Sequence, residues 1–309
     1  METAKYPSLA DCTLCPRECG TDRTQGKVGI CRATDKVKVA KVMLHQWEEP
    51  CLTGNTGAGT VFFSYCNLRC AFCQNHSISH EGYGIEIDDK RLAEIFLEQQ
   101  ARGAATLDLV TPTHYVPQIM HALDLAKEQG FTLPVVYNCG GYESVETVKA
   151  LKGYVDIFMP DLKYASDKSS KRYSRAPDYF ETACRAIRAM YEVTGPFKAD
   201  DHGMLSGVLV RHMVMPGGRA ESFKILDFLW NTFHDDIYLS LMNQYLPMYK
   251  AAEFPEINRR VYKAEYNAVI EHALDLGFTN CFIQEGRTAL SKFIPEFDGE
   301  WVLTDSKNA

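Results

Sequence analysis

Residues 60–75 read Thr-Val-Phe-Phe-Ser-Tyr-Cys-Asn-Leu-Arg-Cys-Ala-Phe-Cys-Gln-Asn, an apolar strand-like run that opens directly into Cys66, Cys70 and Cys73. A strand ending in a thiol-rich loop puts chemistry at its C-terminal end, the arrangement of parallel α/β proteins. Thiolates at this spacing suit a soft metal, and an iron–sulfur cubane takes cysteine ligands. With three cysteines in the loop, a four-iron cluster keeps one iron open for a substrate or cofactor. Two blander readings are weaker. A structural zinc loop wants a fourth ligand in tetrahedral geometry, and cysteines that merely fill a core do not account for a Cys-x3-Cys-x2-Cys pattern behind a strand.

The other cysteines sharpen this. The chain has eleven in 309 residues. Its start lacks the apolar core of a signal peptide and no apolar run reaches membrane-spanning length, so a cytoplasmic location is expected. In that reducing setting metal ligation outweighs disulfide bonding. Cys12, Cys15, Cys19 and Cys31 form a second group, a closed four-thiolate site for zinc, a rubredoxin-like iron or an auxiliary cluster, with a folding role favoured over electron transfer. Cys51 is a possible substitute ligand. A net charge of −7 with scattered basic residues gives no footprint for nucleic acid.

From residue 60 onward short β-branched or aromatic runs alternate with helical patterns. Strands are expected at 60–64, 106–111, 134–138, 155–159, 206–214, 237–242 and 279–284. Helices are expected near 88–102, 116–129, 144–152, 178–194, 219–233 and 258–276, several opened by Asp, Ser or Pro and closed by Gly. This alternation predicts an α/β fold with a parallel sheet curved into a full or partial (β/α) barrel. Residues 1–55, including a strand from Val37 to Trp47, are expected as a cysteine-rich extension, and 56–309 as the barrel.

Strand ends supply the remaining candidates. Asp161 and Lys163 lie two apart after the fourth strand, hence on one face, able to reach one pocket, with Lys163 a point charge for a carboxylate. Arg211 sits within an apolar run and needs a partner or ligand. The third strand ends in Asn138, Cys139, Gly140 and Gly141, where paired glycines allow either a close ligand approach or a tight turn. Cys139 is either a buried thiol or a group facing the site.

These segments together resemble the pyruvate formate-lyase activating enzyme-related branch of the radical S-adenosylmethionine (SAM) superfamily. The resemblance rests on Cys12 to Gly20, Leu44 to Cys51, Phe62 to Asn75, Leu109 to Pro117, Asp161-Leu-Lys163, Val210-Arg-His212 and Met242 to Tyr245. It implies a [4Fe–4S] cluster on Cys66, Cys70 and Cys73, SAM on the open iron, and an electron donor such as flavodoxin or ferredoxin. It further implies reductive cleavage of SAM to a 5′-deoxyadenosyl radical that abstracts a hydrogen atom, with Phe72 beside the adenine and Asp161, Lys163 and Arg211 positioning SAM. Where the superfamily has Gly-Gly-Glu this chain has Thr111-Pro-Thr-His, so Thr111, Thr113, His114 or backbone carbonyls are expected to contact SAM instead. An activating enzyme would take a glycyl radical enzyme as partner. The alternative is a modifier of a sugar, peptide or metabolite, in which Cys139 or Cys281 returns the hydrogen. A scaffold that has lost the chemistry is the third reading.

Overall fold

The computed structural model describes residues 5–286 and 294–303. Its centre is a ten-stranded sheet in the order β10-β9-β8-β6-β5-β4-β2-β1-β3, with β7 paired to β8. The strands are β1 (Val37–His45), β2 (Ala58–Phe63), β3 (Ile85–Ile87), β4 (Leu107–Val110), β5 (Val135–Cys139), β6 (Ile157–Pro160), β7 (Lys198–Asp200), β8 (Gly203–Met213), β9 (Tyr238–Met242) and β10 (Cys281–Ile283). From β2 through β10 the neighbours along this path are parallel. β1 runs antiparallel to both β2 and β3. Among the described residues the two ends of the order do not pair with each other, as in a partial barrel.

Continuous apolar strands explain the parallel sheet. Every residue of β2, β5 and β6 is buried, as happens when crossover helices cover a sheet. The crossovers are α3 (Asp89–Ala101), α4 (Val116–Glu128), α5 (Val145–Ala150), α7 (Tyr179–Thr194), α8 (Arg219–Phe233) and α9 (Lys263–Leu276). Asp88 caps α3 by accepting from the Arg91 N–H at 2.8 Å, and Gly277 ends α9 in the left-handed region at φ 109°.

All seven parallel strands and six of the helices lie where the sequence pattern predicts them. Short elements carry no such pattern: β3, β7, the single turns at Pro50–Thr53 and His76–Ser79, and the polar helix α6 (Asp167–Ser174). β1 comes from the segment before residue 55 yet shares the sheet with β2, so the sheet runs across that expected boundary.

Candidate active site

The three-cysteine loop leaves β2 through Tyr65, which takes a left-handed φ of 74° and donates its N–H to the Ile78 carbonyl at 2.8 Å. Farther on, the loop is hydrogen-bonded to the end of α6: Arg69 N–H to Ser174 O at 3.2 Å and Ala71 N–H to Tyr173 O at 2.7 Å. Arg17 braces it from the N-terminal segment, donating to Asn67 O at 3.1 Å and to Arg175 O at 2.6 Å. Cys66, Cys70 and Cys73 all line one cavity of about 420 Å³. Burial pushes all three thiols up, Cys73 to about 11. A metal binding there would displace their protons, since only the thiolate ligates.

The rest of the cavity is built from the C-terminal ends of the parallel strands. Thr111 follows β4, Cys139 and Gly140 close β5, Asp161 and Lys163 follow β6, Arg211 lies near the end of β8, and Gln284 follows β10. Thr111 takes φ 61°, a strained conformation for a β-branched residue of the kind found at ligand sites. Gly141 is required by packing: a Cβ there would lie 2.1 Å from the Asp161 carbonyl oxygen. Gly141 thus lets the end of β5 approach Asp161, and a Cβ on Gly140 would lie 2.8 Å from Leu68 of the cysteine loop.

Asp161 is the hub of the charged wall. It accepts from Arg211 Nε at 2.9 Å and is ion-paired to Lys163. Burial would raise its carboxyl, but the two cations win and hold it below the ordinary aspartate value. Arg211 also donates to Asn138 Oδ1 at 2.7 Å and to Glu48 Oε1 at 3.4 Å. Behind them Asp108 is fully buried, its Oδ1 lacks a partner among the described residues, and burial followed by the nearby Glu48 raises it well above the aspartate value. Glu48 and Asn138, both on the cavity wall, lie in segments the sequence singles out, Leu44 to Cys51 and the end of the third strand, but no pattern there marks either for a role.

Cys139 and Phe72 line the cavity as well. Phe72 packs against Tyr245 with ring centres 5.4 Å apart. Thr113 and His114 do not line it. The turn at Thr111 winds Thr113–Tyr115 into a short 3-10 helix, where Thr113 Oγ1 donates to Glu143 Oε1 at 2.8 Å and His114 Nε2 sits 2.7 Å from Ser64 O. Burial pushes His114 down to about 3. Both support the wall rather than face the space it encloses.

Cys12, Cys15 and Cys31 are buried, Cys19 is half-buried, and all four are free. They are near enough to perturb one another electrostatically. Among the described residues no three His, Cys, Asp or Glu side chains converge tightly enough to grip a single ion. For the cavity cysteines this is no obstacle, because thiolates on a cubane bind different irons.

The sequence model of the Radical SAM superfamily matches residues 60–229. Over 278 residues the chain is 30% identical to the uncharacterised protein MJ0674 of Methanocaldococcus jannaschii, covering 86% of this chain and 74% of that protein. A solved radical SAM methyltransferase from Sphaerobacter thermophilus superposes with a TM-score of 0.50 at 15% identity, over 74% of this chain and 67% of that one, a likeness of fold. The structure of native anSMEcpe with bound AdoMet aligns at a TM-score of 0.48 and 14% identity, over 69% of this chain and 57% of its own length. The superfamily uses a [4Fe–4S] cluster and SAM, and this chain belongs to it.

Proposed function

We propose that this protein cleaves SAM reductively and uses the resulting radical to take a hydrogen atom from a substrate. The observation that carries this reading is one cavity lined by Cys66, Cys70 and Cys73 together with Asp161, Lys163, Arg211, Thr111 and Cys139. The three cysteines would hold the cluster. Bound there, the cluster and SAM supply a 5′-deoxyadenosyl radical. Lys163 and Arg211 offer donors to a carboxylate, with Asp161 fixing both and available to an ammonium group. Phe72 offers an apolar face, and Thr111 replaces the missing glutamate with a hydroxyl and backbone.

Of the two tasks the resemblance suggests, glycyl radical activation and modification of a sugar, peptide or metabolite, the placement of Cys139 favours the second. Its buried thiol lies on the cavity wall with Glu143 beside it, and its pKa is well above that of free cysteine, first through burial and then through Glu143. It is therefore held as S–H, the form that can return a hydrogen atom. The thiyl radical left behind then takes one electron from a donor such as a flavodoxin or ferredoxin and one proton. For the N-terminal cysteines the reading is a closed structural site, in which a metal draws the four sulfurs together. Gly29 leaves room there, since a Cβ would sit 2.5 Å from Cys19 Sγ.

The test is 5′-deoxyadenosine release from SAM by anaerobically reconstituted, reduced protein, beside a Cys66, Cys70, Cys73 triple-alanine variant. Product from the wild type alone is expected; none from either, with iron and sulfide present, would move the scaffold reading to the front. Cys139→Ser should keep SAM cleavage while losing turnover on substrate, and unaltered turnover would return the choice to glycyl radical activation. Metal analysis of a variant lacking Cys12, Cys15, Cys19 and Cys31 should show loss of the N-terminal metal alone.

A further inference from the structure

Each cysteine of the Cys66–Cys73 loop has a hydrogen-bonding group at its sulfur. The Leu68 N–H donates to Cys66 Sγ at 3.4 Å. The Ser174 hydroxyl donates to Cys70 Sγ at 3.0 Å and is itself 2.7 Å from the Tyr164 hydroxyl. Ser79 Oγ lies 3.2 Å from Cys73 Sγ and 2.8 Å from His80 Nδ1. Ser174 and Tyr164 are buried, as are Ser79 and His80. Two of the three sulfurs are thus served by a serine that a second polar side chain holds in place.

A cysteine bound to iron has no proton and can only accept. That fixes the direction of both relays: Tyr164 donates to Ser174, which donates to Cys70, and His80 donates through Nδ1 to Ser79, which donates to Cys73. The His80 ring fits this assignment. Its Nε2 is buried with no partner among the described residues, so a proton there would be an orphaned donor, whereas a proton on Nδ1 is paired. Burial, followed by the charge of Arg69, pushes His80 down to about 4, so the ring carries a single proton.

We propose that these relays, Tyr164–Ser174 onto Cys70 and His80–Ser79 onto Cys73, set the reduction potential of the cluster by stabilising its reduced, more negative form. Hydrogen bonds to the sulfurs are a principal control on such potentials. Lys163, whose charge acts on all three cysteines, is matched by Asp161, which leaves the two hydroxyl dipoles as the adjustable groups at the sulfurs. The inference rests on the reading that Cys66, Cys70 and Cys73 carry a cluster.

The test is a poised redox titration of the reconstituted holoprotein, followed by the electron paramagnetic resonance of the reduced cluster, for wild type, Ser174→Ala, Ser79→Ala and Tyr164→Phe. At a poise where half the wild-type cluster is reduced, each serine variant should lower the reduced-to-oxidised ratio about three- to tenfold, where tenfold is 59 mV for one electron. Tyr164→Phe should move it the same way by less, because Ser174 keeps its hydroxyl but loses its orientation. In D2O the wild type should show an exchangeable deuteron coupled to the cluster that each serine variant weakens. Unchanged ratios and deuteron couplings would overturn the proposal. If a serine variant fails to load iron, Tyr164→Phe decides for Cys70: it removes one oxygen from a packed ring, and no shift there would overturn that relay. A wild type that forms no cluster signal would instead sink the reading of the cysteine loop, and this inference with it.

Discussion

Glu143 stands behind the cavity wall, where its carboxyl accepts from Thr113 at 2.8 Å and from the Tyr137 hydroxyl at 3.0 Å. Burial pushes it from the ordinary 4.5 up to about 7, against the pull of those hydrogen bonds. In the unfolded chain the proton leaves near 4.5, whereas the folded chain keeps it until about 7. This group's contribution to stability is therefore complete below about pH 4.5 and is lost as pH rises across that window, by on the order of 3 kcal/mol. Glu143→Gln does not titrate. The stability gap between wild type and Glu143→Gln should shift toward the variant by roughly that amount between about pH 5 and about pH 8, as read from denaturant midpoints at the two pH values; parallel pH profiles would show that the carboxyl is not buried as a neutral acid. Glu143 was not legible in the sequence, while Cys66, Cys70, Cys73, Asp161, Lys163 and Arg211 were. Those six are thiols or charges in places where they are costly without a partner, and that cost is visible in one dimension. Glu48 meets Arg211 across 163 residues, a relation no local pattern encodes. Thr113 and His114 mislead because the left-handed turn at Thr111, invisible in a β-branched residue, decides which way they face.

The elements that the sequence yields are those with a periodic apolar face. α6 is the instructive exception. Asp-Lys-Ser-Ser-Lys-Arg-Tyr-Ser has no apolar stripe, and the helix is set by a local device instead: Ser166 caps its start, accepting from Ser169 N–H at 3.4 Å, and Arg175 ends it at φ 54°. Its last residue, Ser174, reaches Cys70, so a segment that reads as a polar loop positions the cysteine loop. The N-terminal segment does the same from the other side. Arg17 joins the cysteine loop at Asn67 O to the end of α6 at Arg175 O, and its guanidinium lies 5.0 Å from the centre of the Tyr142 ring. Hydrogen bonds from a charged group contribute about 1.5–3 kcal/mol each, and less where solvent competes, as it does at the exposed bond to Arg175. Arg17→Ala should therefore loosen the loop more than the fold, releasing iron to a chelator several-fold faster with only a small drop in melting temperature. Arg17→Lys should not restore retention, since an ammonium cannot span both carbonyls as the planar fork does. Equal iron release by wild type and Arg17→Ala would mean that the loop's other hydrogen bonds, to α6 and to Ile78, hold it without Arg17.

At the scale of the whole molecule, a partial barrel has two sheet ends to protect, and the chain uses its own later residues at one of them. Residues 294–303 follow β10 in sequence yet bind at the far side of the sheet. The Val42 N–H donates to Glu300 O at 3.1 Å, the Gly299 N–H to Ala40 O at 3.0 Å, and Arg91 Nε of α3 to Val302 O at 2.9 Å. Lys41, nearly buried, finds its counter-charges on Asp298 at 3.0 Å and Glu300 at 3.2 Å. Those carboxylates are more than half exposed, so the ion pairs themselves contribute little. More comes from the complete burial of Val302, roughly 1.5–3 kcal/mol for such a side chain, and from sparing Lys41 and the β1 backbone the cost of having no partners. Ile294 and Pro295 also line the cavity, so the same segment couples the sheet edge to the site. A variant lacking residues 294–309 should melt at a lower temperature and self-associate through β1, and it should bind SAM more weakly because part of the cavity wall is gone. Val302→Ala separates the two effects: it should cost about 1.5 kcal/mol, the equivalent of about two buried carbons, with SAM affinity unchanged. If truncation lowers SAM affinity without lowering the melting temperature, the segment is a wall of the site and not a brace for the sheet.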